Sequence, residues 1–255
     1  MKRLSTLQTP NHLPLVWKRG GEGLFYAPHI TTNPVLPEDE SGHAIRVLRL
    51  QEGEEIRITD GKGFFYQAII TNAHPKHCEV SIIETQQQPP LWPFQLHIAI
   101  APPKNFDRME WFVEKATEIG IDAITCLNCR FSERHELKTA RLEKILISAI
   151  KQSQKAQLPQ LKGMTDFQDF INQPFNGSKY IAHCDEGEKS LLNKIYHPGE
   201  NALILIGPEG DFSIEEISLA VKQGFQPVSL GTSRLRTETA AFVACHTIHL
   251  LNQLS

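Results

Sequence analysis

Two strand-like runs that stop on glycine constrain this chain more than any other feature. The first is Leu203-Ile-Leu-Ile-Gly-Pro-Glu-Gly210, and the second opens Leu230-Gly-Thr-Ser-Arg-Leu-Arg-Thr-Glu-Thr-Ala240. A short apolar run bounded by turn residues reads as a strand buried on both faces, the pattern of a parallel sheet covered by helices. Each run opens into a loop that a helix follows. Two such edges line one crevice at the carboxyl ends of neighbouring parallel strands, which is where open α/β sheets bind ligands. A cofactor is expected there.

The remainder divides by its periodicity. Residues 24–88 read as a small β domain. Glu55-Ile-Arg-Ile-Thr alternates, Asp60-Gly-Lys-Gly63 is a turn, and Phe64-Phe-Tyr-Gln-Ala-Ile-Ile resumes as a strand, which together make a hairpin. Cys78-Glu-Val-Ser-Ile-Ile alternates again. Ahead of the hairpin, His43, Arg46 and Arg49 recur at i, i+3, i+6, predicting a basic helical face with Ile45 and Leu48 packed inward. Gln86-Gln-Gln-Pro-Pro90 reads as a linker. From Phe94 strands alternate with helices: strands over 95–101, 179–183, 202–206 and 227–230, a helix from Asp107 to Ile119 stopped by Gly120, and a second marked by Leu142, Ile145, Leu146 and Ala149. That alternation predicts a mostly parallel α/β sheet over residues 89–255. Residues 1–23, with four Lys/Arg, two prolines and no acid before Glu22, read as a disordered extension.

Charge and cysteine usage exclude several classes. The net charge of −3 gives no global nucleic-acid signature, but residues 130–162 carry eight Lys/Arg against three acids, a phosphate-facing patch or a solvated helix face. The five cysteines make no repeating framework and fit a reduced, cytoplasmic setting. Cys126-Leu-Asn-Cys129 has no second ligand pair at zinc spacing, so no metal is expected. No apolar run approaches the roughly 20 residues that span a membrane.

The glycine loops limit the ligand. Ser213-Ile-Glu-Glu216 is a capping box that starts a helix, so Gly207 and Gly210 bracket a tight turn in which backbone comes close to a flat ligand. No GxxxxGK[ST] or intact GxGxxG is present, which disfavours a P-loop or Rossmann enzyme. The ligand class left is nucleoside-like. Arg234 and Arg236 stand just before a helix, where they oppose its dipole; this points to an anionic target, the plain alternative being a surface pair with Glu238. His246 and His249 read as structural.

Ile206-Gly-Pro-Glu-Gly-Asp-Phe-Ser213 with Leu230 to Ala240 resembles the bacterial 16S ribosomal RNA uracil-N3 methyltransferases of the SPOUT, or α/β-knot, superfamily. His43 to Leu50, Asp60 to Gly63, Lys104 to Gly120, Arg130-Phe-Ser-Glu-Arg134 and Gln152-Ser153 ahead of Pro159 agree with it, so the likeness spans roughly residues 24–254 in order. The resemblance implies an α/β fold: a C-terminal SPOUT domain with a mostly parallel sheet and a trefoil knot, plus an N-terminal PUA-like β-barrel that binds RNA. It implies S-adenosyl-L-methionine as cofactor, 16S rRNA within the small ribosomal subunit as substrate, and a homodimer. Ile206, Gly207, Glu209, Gly210, Leu230, Gly231, Leu235 and Arg236 would hold the cofactor, and Arg236 and Glu209 would be catalytic. His43, Arg46, Arg49, Arg130, Arg134, Lys155 and Arg234 would face RNA.

Two residues depart from the family pattern: Asp211, where glycine is usual, and Lys155, where arginine is usual. Asp211 adds negative charge beside a sulfonium and narrows backbone freedom, while Lys155 loses bidentate phosphate geometry. Other readings are a SPOUT methyltransferase with a different RNA target and a non-catalytic RNA-binding protein with an impaired cofactor loop.

Overall fold

The computed structural model describes residues 23–255; the extension read over 1–23 lies outside the described residues apart from Gly23. Its elements are β1 (Leu24–Tyr26), α1 (Glu38–Gly42), β2 (Glu55–Thr59), β3 (Phe64–Asn72), β4 (Glu79–Gln87), β5 (Leu96–Ile100), α2 (Phe106–Ile119), β6 (Ala123–Asn128), α3 (Thr139–Gln152), β7 (Gln160–Asp166), α4 (Phe167–Ile171), β8 (Ser178–Ala182), β9 (Ser190–Leu191), α5 (Leu192–Ile195), β10 (Ala202–Ile206), α6 (Ile214–Lys222), β11 (Gln226–Ser229) and α7 (Thr237–Leu254).

The first four strands form one sheet in the order β1-β2-β3-β4, with β2 and β3 as the expected antiparallel hairpin. Asp60 fastens the turn: its carboxylate accepts from the Lys62 amide (2.8 Å), the Phe64 amide (3.3 Å) and the Tyr66 hydroxyl (3.0 Å). Burial, then the bond to Asp60, pushes the Tyr66 phenol up to about 12. Period-two alternation buries Ile56, Ile58, Tyr66, Ala68 and Ile70 with Phe25 and Val80. The polar run expected as a linker begins inside β4, which extends to Gln87.

The basic helical face is not formed. After α1 the chain widens into a π-helical turn over His43–Val47, with the Leu48 amide bonded to the His43 carbonyl five residues back (3.0 Å). The wider turn breaks the i, i+3, i+6 alignment, and Arg49 follows with φ +58°. Ala44 takes the buried position, while Val47 and Leu48 face solvent.

The other seven strands are all parallel, in the order β7-β6-β5-β10-β8-β11-β9. Alternate residues feed two cores. Leu96, Ile98, Ile100, Ile204 and Ile206 pack with α2, α3 and α7, whereas Ala99, Leu203 and Leu205 pack with Phe167 and Phe170 of α4, Ala220 of α6 and Phe212. Both faces are therefore covered, as uninterrupted apolar strands require. Cys126 and Cys129 are buried, and burial pushes the Cys126 thiol up to about 12. No helix among the described residues is long and apolar enough to cross a membrane.

Residues 154–158 plug the large sheet's side of the chain into the small one. Ala156, fully buried with Leu24 and Phe65, accepts from the Gly63 amide (2.9 Å) and Thr59 Oγ1 (3.2 Å) and donates to Gln88 Oε1 (2.8 Å). The Leu158 amide donates to Gly61 (2.9 Å), and Lys151 pairs with Glu40 at 2.7 Å. Lys155, expected on the RNA face, points inward instead. Its ammonium donates to the Glu118 carbonyl (2.6 Å) at the end of α2, where a cation meets unsatisfied carbonyls. Burial lowers its pKa.

His97 of β5 shares a hydrogen bond with Thr125 (2.9 Å). Burial, with Lys162 adding, pushes its imidazole down to about 4 from the ordinary 6.5. Above pH 6.5 both folded and unfolded forms are neutral and nothing is lost. Between 6.5 and 4 only the unfolded chain binds the proton, so stability falls as pH drops. From pH 7 to 4.5, urea unfolding should show the wild type losing about 2–3 kcal/mol more than His97→Gln; equal losses would contradict the assignment.

Candidate functional site

The parallel strands end level with one another. Ile206 of β10 pairs with Ile100 of β5 and Ala182 of β8, and Ala182 pairs with Val228 of β11. The loops that leave these ends therefore emerge side by side. Three of them, after β8, β10 and β11, enclose a cavity of about 680 Å³. Ile206, Gly207, Glu209, Leu230, Gly231, Leu235 and Arg236 line it; Gly210 does not. His183, Cys184, Lys189 and Asp211 line it too. The first three of these were missed among the sequence-level site residues, since the β8 end carries no glycine signature.

The two glycines of the first loop do not themselves take left-handed backbone. The residue with positive φ is Asp211 (+67°). Gly207 and Gly210 serve close packing: a Cβ on Gly207 would come within 3.1 Å of the Phe212 ring, and one on Gly210 within 3.0 Å of Phe131 Cβ, both tighter than ordinary contact. Ser213 and Glu216 form the predicted capping box, Glu216 Oε2 accepting from the Ser213 amide (2.8 Å) and Ser213 Oγ from the Glu216 amide (3.2 Å).

The same loop ties down its neighbours through carboxylates. Glu209 Oε1 accepts from the Lys104 amide (3.0 Å) in the loop after β5. Glu216 Oε1 accepts from the Arg130 amide (2.8 Å) in the loop after β6. Asp211 Oδ2 accepts from the Cys184 amide (2.6 Å) in the loop after β8. Bonds from amides to carboxylates are charge-assisted and stronger than neutral ones.

Cationic groups sit around this frame. Arg234 and Arg236 are exposed, and Arg236 is the N-cap residue of α7 without a side-chain cap bond. Glu238 does not pair with them; it is buried, with Arg108 Nε at 3.7 Å, so the plain surface-pair alternative fails. Arg130 is exposed. Arg134 donates to the Lys104 carbonyl (2.8 Å) and lies over the Phe106 ring, which makes it a brace for the loop after β5. Lys104 Nζ pairs with Glu133 at 2.7 Å. His43, Arg46 and Arg49 stay on the small sheet's turn, outside the cavity lining. His183 has both ring nitrogens buried without a hydrogen-bond partner among the described residues; burial, with Lys189 adding, lowers its pKa. His249 is structural, bonded to the Gly120 carbonyl (2.7 Å) and edge-on to Trp92.

A parallel α/β sheet with a cavity at its carboxyl edge, joined to a small β sheet with a basic turn, defines a ligand-binding α/β domain with a β appendage. The pattern of the RNA methyltransferase domain family matches residues 90–249, and that of the RNA methyltransferase PUA domain matches residues 36–83. The chain belongs to this RNA methyltransferase family. It is 32% identical to the ribosomal RNA small subunit methyltransferase E of Synechocystis sp. over 215 residues, covering 81% of this chain and 69% of the relative. A crystal structure of a probable rRNA-methyltransferase from Porphyromonas gingivalis superposes with a TM-score of 0.87 at 46% identity, covering 91% and 99% of the two chains. That of the ribosomal RNA small subunit methyltransferase E from Neisseria gonorrhoeae, bound to S-adenosyl methionine, gives 0.79 at 28% identity, covering 90% and 97%.

Glu216 is the residue whose loss would loosen this frame most directly. Glu216→Ala leaves two backbone amides without their acceptor and should cost about 2–4 kcal/mol in denaturant unfolding. A loss below about 0.5 kcal/mol, the range of ordinary surface changes, would contradict its role.

Proposed function

We propose that this protein transfers a methyl group from S-adenosyl-L-methionine to N3 of one uridine in 16S rRNA of the small ribosomal subunit. The observation that carries the reading is the cavity at the level strand ends, with Arg236 and Glu209 on its wall. The residues fit the cofactor. The volume lies in the range of small-molecule sites. Ile206, Val228, Leu230 and Leu235 offer apolar surface to a flat base, and the buried ring nitrogens of His183, without a partner among the described residues, offer polar contacts.

When bound, the cofactor supplies an electrophilic methyl group, and the protein manages the uracil. The N3 proton must leave as the new N–C bond forms and the S–C bond breaks. Glu209 would orient the imide or accept that proton. Its Oε1 is held by the Lys104 amide, and its other oxygen has no hydrogen-bond partner among the described residues. Arg236 stabilises the charge that builds on the ring or holds the phosphate. A target base inside a duplex has to be unstacked to arrive here. Arg234 on the cavity lining, the exposed Arg130, and His43, Arg46 and Arg49 beside the small sheet would contact RNA.

We read residues 24–88 as the PUA-like RNA-binding unit, 89–255 as the transferase unit, and 1–23 as an extension. The late strand β10 lies between the earlier β5 and β8, an insertion that supports the trefoil knot. A homodimer accords with exposed Trp111, Leu250 and Leu254 on α2 and α7. A cytoplasmic setting accords with the ribosomal substrate.

Arg236→Ala should lower methyl transfer to small subunits by about 100-fold or more, while calorimetric affinity for S-adenosylmethionine changes less than about threefold. Turnover equal to wild type would remove Arg236 from the mechanism.

A further inference from the structure

The side chain at the strained position of the cavity loop carries a further role. Asp211 has φ +67°, a region that non-glycine residues seldom occupy, and aspartate is among the few that tolerate it. Such conformations persist where the surroundings over-determine them. Three bonds do so here. The Asp211 amide donates to the Pro208 carbonyl (2.9 Å), closing the turn. Its Oδ1 accepts from the next amide, Phe212 (2.8 Å), and its Oδ2 from the amide of Cys184 (2.6 Å), 27 residues away in sequence.

Only the last bond crosses loops. It lands one residue beyond His183, whose two ring nitrogens are buried, without a partner among the described residues, on a side chain that lines the cavity. The segment that follows is held mainly to itself: Lys189 donates to the carbonyls of His183 (3.1 Å) and Asp185. Residues 184–188 are all exposed. The Asp211 carboxylate is thus the polar link that fixes this otherwise self-contained loop to the glycine loop across the cavity.

We propose that Asp211 is a positioning residue: its carboxylate clasps the loop after β8 to the loop after β10 and so presets one cavity wall, His183 included, for the cofactor. The role rests on the reading of the cavity as an S-adenosylmethionine site. A glycine there accepts the same backbone but cannot clasp, so this chain trades backbone freedom for a cross-loop tie. Holding a wall in its bound form removes an ordering cost from binding.

Asp211→Gly and Asp211→Asn test this in the full-length protein. Glycine suits the positive φ and offsets part of the loss of the two carboxylate bonds, so Asp211→Gly should unfold within about 5 °C of wild type; a drop beyond about 10 °C would mark a general structural role and overturn the clasp as a local device. Without ligand, the Cys184 amide should exchange with solvent about tenfold faster in Asp211→Gly, as expected when a charge-assisted bond is lost. Asp211→Asn, keeping one acceptor oxygen, should fall between. The KM for S-adenosylmethionine should rise about tenfold in Asp211→Gly with kcat reduced less than about threefold. Unchanged Cys184 exchange would overturn the clasp, and faster exchange with unchanged KM would overturn its service to the site. Failure of the wild type to bind S-adenosylmethionine would instead overturn the cofactor reading, and is told apart because the exchange measurement needs no ligand.

Discussion

Carboxylates on the segment after β10 accept main-chain amides from the loops of three other strands, and the packing of the loops at this edge of the sheet depends on those bonds. Glu209 reaches the loop after β5, Asp211 the loop after β8 and Glu216 the loop after β6. The arrangement is available because the strands end level: Ile100, Ile206, Ala182 and Val228 form one line across the sheet. Loops leaving neighbouring strands at the same height lie within side-chain reach, and an unpaired amide beside a carboxylate is a strong donor. The buried strands thus set the height, and the acids of one loop set the spacing of the others.

The electrostatics follow from the same frame. The acids of the β10 loop are occupied with backbone amides, so they fix geometry while keeping negative charge near the cavity. Arg234 and Arg236 stand exposed on the opposite loop, where the start of α7 offers them no helix-dipole stabilisation. A positively charged donor on the acidic side and an anionic acceptor strand on the arginine side match this polarity. Burial lowers the pKa of His183, which adds hydrogen-bonding capacity to the cavity wall. RNA methyltransferase family membership and the polarity of the site therefore agree.

Much of this was legible in the sequence because its signals are local. The run 202–206, the Ser213–Glu216 capping box, the hairpin turn at Asp60 and the helix stopped at Gly120 each depend on residues within a few positions of one another. What escaped depends on partners far along the chain. Lys155 looked like a phosphate ligand, but its partner is a carbonyl at Glu118. Glu238 looked like a mate for Arg236, but Arg108 takes that place. The π-helical turn at His43–Val47 broke a spacing argument that presumed an α-helix. Asp211 read as a blemish in a glycine loop, while the Cys184 amide that gives it a purpose lies on another strand's loop.

The central claim is chemical: a methyl group delivered to one ring nitrogen of one uridine. The most direct measurement incubates unmodified small ribosomal subunits with the protein and S-adenosylmethionine carrying a labelled methyl group, then maps the product by mass spectrometry. The account predicts a single labelled nucleoside in 16S rRNA, a uridine methylated at N3. Label on a ribose hydroxyl, on another base, or on no nucleoside at all would contradict it.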